Sequence, residues 1–300
     1  MHHAGMTPEL LAAFDAHGGV TTFAQIVDLI GRRSLQRLLR TGAVTKLWSN
    51  IYCLGKPTAS ARLRGMDLRC GEPVAVCLGT AAGRYGFDTE GVTAVHVINP
   101  DGHLLRHGVG VMVHRRDGAP LITHADRPVT APAWTAIEVA RGLGRPRALA
   151  TLDAALRSGH CDIDELAVAA KQQAGRRGIV VVREMIPLAR SQAESPMESE
   201  ARLAMLDGGL PEPILQYEII DRDGRRWRLD FAWPDQRVAV EFDGFEYHSS
   251  SRDLRRDRQK RAALIELGWQ PMGIVSDDVR NRPEAMVRQI RGLLGQSVAA

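Results

Sequence analysis

The sequence predicts a multidomain α/β protein, and three observations carry that expectation. Three short helical patterns followed by two strand patterns open the chain in the order of a winged helix-turn-helix. Helix and strand signals then mix through a long middle region. The last third runs helix, three strands, helix, strand, helix, the order of helices packed on a mixed sheet. A chain of 300 residues has room for two or three domains. The expected division is residues 1–56, 57–190 and 191–300, with the polar stretch RSQAESP at the last boundary.

In the first segment, Thr7-Pro8 reads as a helix cap with proline in the first turn, and Gly18-Gly19 as its stop. A second helix fits Thr22 to Ile30, where Phe23, Ile26, Val27 and Ile30 recur at helical spacing. The chain turns at Gly31, RRSLQRLLRTG makes a third helix ending at Gly42, and two strands follow about Ser49-Asn50. In the middle region, a helix at ASARLRGMDLR precedes strands TAVHVINP and GVGVMVHRR on either side of Asp101-Gly102. Helices are expected at AWTAIEVARGL, PRALATLDAALRSG, DIDELAVAAKQQ and GIVVVREMIPLA. The last region has a helix at SPMESEARLAMLDGG and strands at PILQYEIID, RRWRLDFAW and RVAVEFDG. The helix SRDLRRDRQKRAALIELG, the strand WQPMGIV and the helix RPEAMVRQIRGLL complete it.

The composition is that of an ordinary soluble globular protein, 44% hydrophobic and 25% charged with net charge +4. That balance permits a nucleic-acid partner without demanding one, so the placement of charge decides. Cys53, Cys70, Cys77 and Cys161 show no C-x-x-C pairing and give neither a disulfide framework nor a zinc knuckle. No signal peptide or bilayer-length apolar run is read, and a cytoplasmic protein is expected. His96, His103, His107, His114 and His124 have no metal-ligand spacing. No P-loop, dinucleotide fingerprint or nucleophile elbow is present.

The chemistry concentrates in RRWRLDFAWPDQRVAVEFDGFEYH. Strand alternation puts Trp227, Leu229, Phe231 and Trp233 on one face, and Arg228, Asp230 and Ala232 on the other. A hairpin about Pro234-Asp235 makes Asp230 and Glu241 cross-strand neighbours, with Asp243 two residues beyond. Like charges so placed repel unless a partner offsets them. One such partner is Mg²⁺ or Mn²⁺, which takes one or two carboxylates and completes its shell with water and substrate phosphate. The alternative is a solvated sheet face paired to Arg228 or Arg237. Asp243 also fits an ordinary strand-ending Asp-Gly turn.

These residues, LDF on one strand, VEFDG on the next, then His248 and RDRQKRAALIELGW, resemble the PD-(D/E)XK nuclease superfamily, and within it the Vsr-like endonucleases. The resemblance covers the last third of the chain and implies a restriction-endonuclease-like fold. It implies Asp230 and Glu241 as metal ligands, with Asp243 where the superfamily carries a catalytic lysine. It leaves His248 as a candidate general base or phosphate partner. Glu198 has two readings: the last residue of a capping box opened by Ser195, or the first-helix glutamate that reaches the metal in the superfamily. Gly273 departs from the family pattern, where arginine is common.

Between Arg252 and Arg261 stand six basic residues against two acids, on a helix just beyond these carboxylates. Arg252, Arg255, Arg258 and Lys260 are its candidate phosphate contacts, although such runs are usually solvated faces. In the first segment, Arg32, Arg33, Arg37, Arg40 and Lys46 are the corresponding candidates for DNA. This half, together with PVTAPAWTAIEVARGL and ATLDAALRSG, resembles the abortive-infection (AbiEi-like) antitoxins of type IV toxin–antitoxin systems. That resemblance implies promoter binding by the winged helix and a toxin partner for the middle region. Two functions follow as expectations: a metal-dependent endonuclease acting on DNA, or a non-catalytic repressor and antitoxin that keeps the nuclease fold for binding alone.

Overall fold

The computed structural model describes residues 6–91, 93–115, 118–244 and 251–295. The chain forms two compact units, Met1–Thr135 and Ala136–Ala300.

The first unit opens with helix α1 (Pro8–Asp15), where the Leu10 N–H donates to the Thr7 hydroxyl. Strand β1 (Val20–Thr22) leads into α2 (Phe23–Thr41), begun by a reciprocal capping box between Thr22 and Gln25. Gly31 interrupts α2 with φ 75° and ψ 161°, a region open in practice to glycine alone, and so divides it into the two expected helices. Gly42 in the left-handed conformation ends the second of them. Strands β2 (Val44–Trp48) and β3 (Ile51–Leu54) turn at Asn50, φ 68°, and the sheet runs β1-β3-β2. Leu10, Phe14, Ile26, Leu35, Leu38, Val44 and Tyr52 fill the core beneath it. This is the expected winged helix, with β1 as an added strand.

The same unit continues with α3 (Ala59–Cys70), α4 (Leu78–Arg84) and the strands β4 (Val95–Ile98), β5 (Val111–His114), β6 (Leu121–His124) and β7 (Arg127–Thr130). Asp101-Gly102 does not close a hairpin, because β4 and β5 run parallel. The hairpin is β6–β7, turned by Ala125 and Asp126 at positive φ. Val76 bridges both pairs, meeting Val97 and Val129.

Helix α5 (Pro132–Ala140) carries the chain into the second unit, which contains α6 (Arg145–Arg157), α7 (Ile163–Gln172), α8 (Ile179–Met185) and α9 (Pro196–Asp207). The strands β8 (Ile214–Ile220), β9 (Arg226–Trp233), β10 (Val238–Phe242) and β11 (Gln270–Ile274) then form one mixed sheet in the order β11-β10-β9-β8. Helix α10 (Ser251–Glu266) links β10 to its parallel neighbour β11, and α11 (Ser276–Arg280) and α12 (Pro283–Leu293) follow.

The two faces of this sheet correct the simple alternation. Phe231, Trp233, Val238 and Val240 pack with Ala201, Met205, Val287 and Ile290 of α9 and α12. Trp227 and Leu229 pack instead with Ala232, Ala239 and Leu264 of α10, on the other side. Alternation therefore slips by one residue between Leu229 and Phe231. Opposite that point Gln216 adopts φ 51°, a strained backbone for a residue with a side chain, and β8 slips as well: Leu215 packs with α9's cluster and Tyr217 with α10's.

No helix among the described residues is long and apolar enough to cross a membrane. None of the four cysteines forms a disulfide.

Candidate functional site

The pairing of β9 with β10 runs Val238↔Trp233, Ala239↔Ala232 and Val240↔Phe231. One step further sets Glu241 opposite Asp230, the expected register. There the ladder gives way to a side chain, since the Phe242 N–H donates to Asp230 Oδ2 at 2.9 Å. Glu241 shares the α10 face with Ala239, two residues before it. From α10 the Lys260 ammonium reaches back to Glu241 Oε2 and donates also to the Arg228 carbonyl at 2.6 Å. Both partners of this ion pair are one-fifth exposed. Glu241 Oε1 is buried and accepts no hydrogen bond among the described residues.

Glu198 sits in the first turn of α9 beside its cap, but its side chain accepts from the residue before Ser195 and not from Ser195 itself, so the reciprocal box is not completed. The Glu198 N–H donates to the Ser195 hydroxyl at 3.2 Å, while Glu198 Oε2 accepts from the Glu194 N–H at 2.8 Å, closing the first turn of α9. The same oxygen accepts from Gln216 Nε2 at 3.0 Å, and the Gln216 side chain also favours the charged form of Asp230. Gln216, at the slipped point of β8, thus joins the cap to the carboxylates. Glu194 in turn pairs with Arg228 at 2.6 Å.

Burial pushes the carboxyls of Glu198, Asp230 and Glu241 upward. For Glu241 burial is reinforced by Asp230 and opposed by Lys260, and its pKa reaches about 7. Asp243 lies apart. It is exposed, its N–H continues the β10–β11 pairing to the Ile274 carbonyl at 2.8 Å, and its Oδ2 stands 2.5 Å from where a Cβ on Gly273 would sit. Glycine at 273 leaves that carboxylate room that a side chain would take. Among the described residues no three His, Cys, Asp or Glu side chains stand together as an ion-holding group. His248 lies outside the described residues.

Arg255, Arg256, Arg258 and Arg261 are exposed on α10, with a cleft of about 350 Å³ nearby lined by Glu241, Asp243, Arg258 and Lys260. Lys260 differs from the others, being turned inward to Glu241. Arg252 belongs to the first turn of α10, and its side chain lies outside the described residues. Arg228 and Arg237, the expected partners of the sheet acids, go elsewhere: Arg228 to Glu194, and Arg237 to the Leu267 carbonyl.

In the first unit, Arg33, Arg37 and Arg40 follow one another at spacings of four and three beyond the Gly31 break, a single exposed stripe. Arg32 is exposed too, with its guanidinium 5.6 Å from the Phe23 ring centre. Lys46 is exposed on β2.

Sequence reasoning missed several polar groups. Glu200 is buried and accepts from Arg280 through both oxygens at 2.8 Å and from Arg147 at 3.0 Å. Burial raises its carboxyl, but those arginine hydrogen bonds outweigh it and hold the group below the usual range. In the first unit His96 Nδ1 and His114 Nε2 meet at 3.0 Å. Neither arrangement has a short-range signature, since the partners lie far apart in sequence.

Comparison with known proteins adds two findings. Residues 74–188 match the family described as the AbiEi antitoxin C-terminal domain. Two proteins of Mycobacterium tuberculosis, uncharacterized protein MT2308 of strain CDC 1551 / Oshkosh and uncharacterized protein Rv2248 of strain ATCC 25618 / H37Rv, are each 49% identical over 259 residues, which is 86% of this chain and 95% of the relative. The chain belongs to their family. The antitoxin resemblance of the middle region is thus borne out. The matched residues begin in the first compact unit and end in the second, after α8 and before α9.

Proposed function

We propose that this protein is a DNA-binding regulator of the antitoxin type. Its winged helix grips promoter DNA, its middle region engages a partner toxin, and its C-terminal sheet domain binds without cutting. The observation that carries the reading is the antitoxin-domain match at residues 74–188. The exposed Arg33, Arg37 and Arg40 stripe supports the DNA role, because a second helix after a tight turn is the element such folds lay in the major groove. Phosphate contacts from these side chains and from Lys46 would fix its register on the duplex. A gel shift on the protein's own promoter, with a scrambled duplex as control, tests the DNA role. Co-expression with the product of an adjacent toxin gene tests the other. Failure to retard the promoter and failure to relieve toxicity together would sink the proposal.

A second reading, a Mg²⁺- or Mn²⁺-dependent endonuclease, is favoured by one observation: Asp230 and Glu241 face one another across adjoining strands, with Gln216, bonded to Glu198, opposite Asp230 on the next strand. In that reading Asp230 and Glu241, with Asp243 beside them, would hold the ion that polarises a phosphodiester and activates water. Supercoiled plasmid incubated with either metal separates the two. Nicking that disappears in Asp230→Ala and Glu241→Ala supports the enzyme.

A further inference from the structure

We infer that Lys260 is the resident cation of the carboxylate pocket in the second unit, holding by a tethered ammonium the place a divalent ion would otherwise take. The inference rests on the regulator reading and deepens it, by naming what lets the C-terminal domain keep its acids without a metal. Three hydrogen-bonding commitments support it. Lys260 Nζ is bonded to Glu241 Oε2 and to the Arg228 carbonyl, so two of its three N–H groups are spent inside the pocket. Asp230 Oδ2 is taken by the Phe242 N–H. Glu198 Oε2 is taken by the Glu194 N–H and by Gln216. A divalent ion would be left the remaining oxygens, Glu241 Oε1 among them, and would sit beside an ammonium already bonded to the other oxygen of the same carboxylate. Repulsion between the two cations, with Lys260 held in place by its helix, is what disfavours Mg²⁺ or Mn²⁺ there.

Position along the chain explains how this comes about. The strand position that would carry a lysine in the nuclease pattern holds Asp243, which is exposed and turned over Gly273. The positive charge comes instead from α10, whose Ala263 and Leu264 are buried against Leu229, Ala232 and Ala239 on the same face of the sheet. Anchored by that packing, Lys260 is delivered to Glu241 at little further entropic cost.

The test uses the full-length protein with Mn²⁺ as the probe, read by calorimetric titration and by thermal melting. Wild type is expected to bind Mn²⁺ no more tightly than about 1 mM and to melt at the same temperature with or without it. Lys260→Met leaves two neighbouring carboxyls without their counter-ion, so it should melt lower, recover with Mn²⁺, and bind the ion at least tenfold more tightly than wild type. Lys260→Arg keeps the charge and should stay indifferent to Mn²⁺. If Lys260→Met does not fold, Lys260→Met with Glu241→Gln removes both charges and should fold and remain indifferent. Tight Mn²⁺ binding by wild type that is lost in Glu241→Gln overturns the inference, and so does a Lys260→Met protein as stable and metal-indifferent as wild type. Neither result touches promoter retardation, so the regulator reading fails or survives separately on the gel shift.

Discussion

Arg202 of α9 and Asp153 of α6 form an ion pair in which neither side chain meets solvent, with guanidinium Nη2 2.8 and 3.1 Å from the two carboxylate oxygens. Arg202 Nη1 also donates to the Leu188 carbonyl at 2.7 Å, and the Arg190 N–H donates to Asp153 Oδ1 at 2.7 Å. Burial pushes the Asp153 carboxyl up, and Arg202 opposes it. Removing one partner strands a charge in the interior, which costs about 3–5 kcal/mol. Urea unfolding of Arg202→Met should show a loss of that size. Asp153→Leu combined with Arg202→Met should recover most of it, because no lone charge is left.

Gly31 sets the angle between the two halves of α2, at φ 75° and ψ 161°. An alanine there meets no neighbouring atom, so its penalty is backbone strain alone, on the order of 1–3 kcal/mol. Gly31→Ala should lower the melting temperature and weaken promoter retardation more than an exposed substitution such as Glu9→Ala. Equal stability in the two variants would contradict this account.

Arg33→Ala and Arg37→Ala should each weaken promoter binding without changing its sequence preference. If each side chain neutralises one phosphate, the slope of log affinity against log salt falls by about one per substitution. Binding titrations at several salt concentrations measure it. An unchanged slope would mean that these arginines do not touch the backbone.

His96 and His114 share a hydrogen bond that only one proton can occupy. Their rings lie nearly parallel, 11° apart, with nitrogens 3.0 Å from each other. Burial, then His96 and His107, lowers His114 to about 4, against an ordinary value of 6.5. Between those values the unfolded chain binds more protons than the folded one, so stability declines as pH falls from 6.5 towards 4 and is fully present above 6.5. Melting of wild type compared with His114→Phe across this window should show wild type losing the greater share. Parallel curves would place His114 in an unperturbed setting.

Much of this fold was legible from local pattern. The helix–Gly31–helix spacing, the Asn50 turn and the Pro234-Asp235 hairpin fix their geometry within a few residues, and the hairpin alone was enough to set Asp230 against Glu241. Other features depend on contacts that local pattern does not encode. Gln216 carries no signal of its left-handed backbone, yet the slip opposite it sends Trp227 and Phe231 to different faces. The β6–β7 turn uses Ala125 and Asp126, with no glycine or asparagine to announce it. Lys260 read as one cation in a solvated run, because nothing nineteen residues after Glu241 announces that helix packing will bring its ammonium back.

The antitoxin match stops at residue 188, but Asp153 finds its counter-charge at Arg202, in a helix that begins eight residues later. A fragment cut at the end of that match would keep the anion and lose the cation, drawing bare charge into its own interior. The edge of the recognised domain and the line along which the chain can be divided are different places.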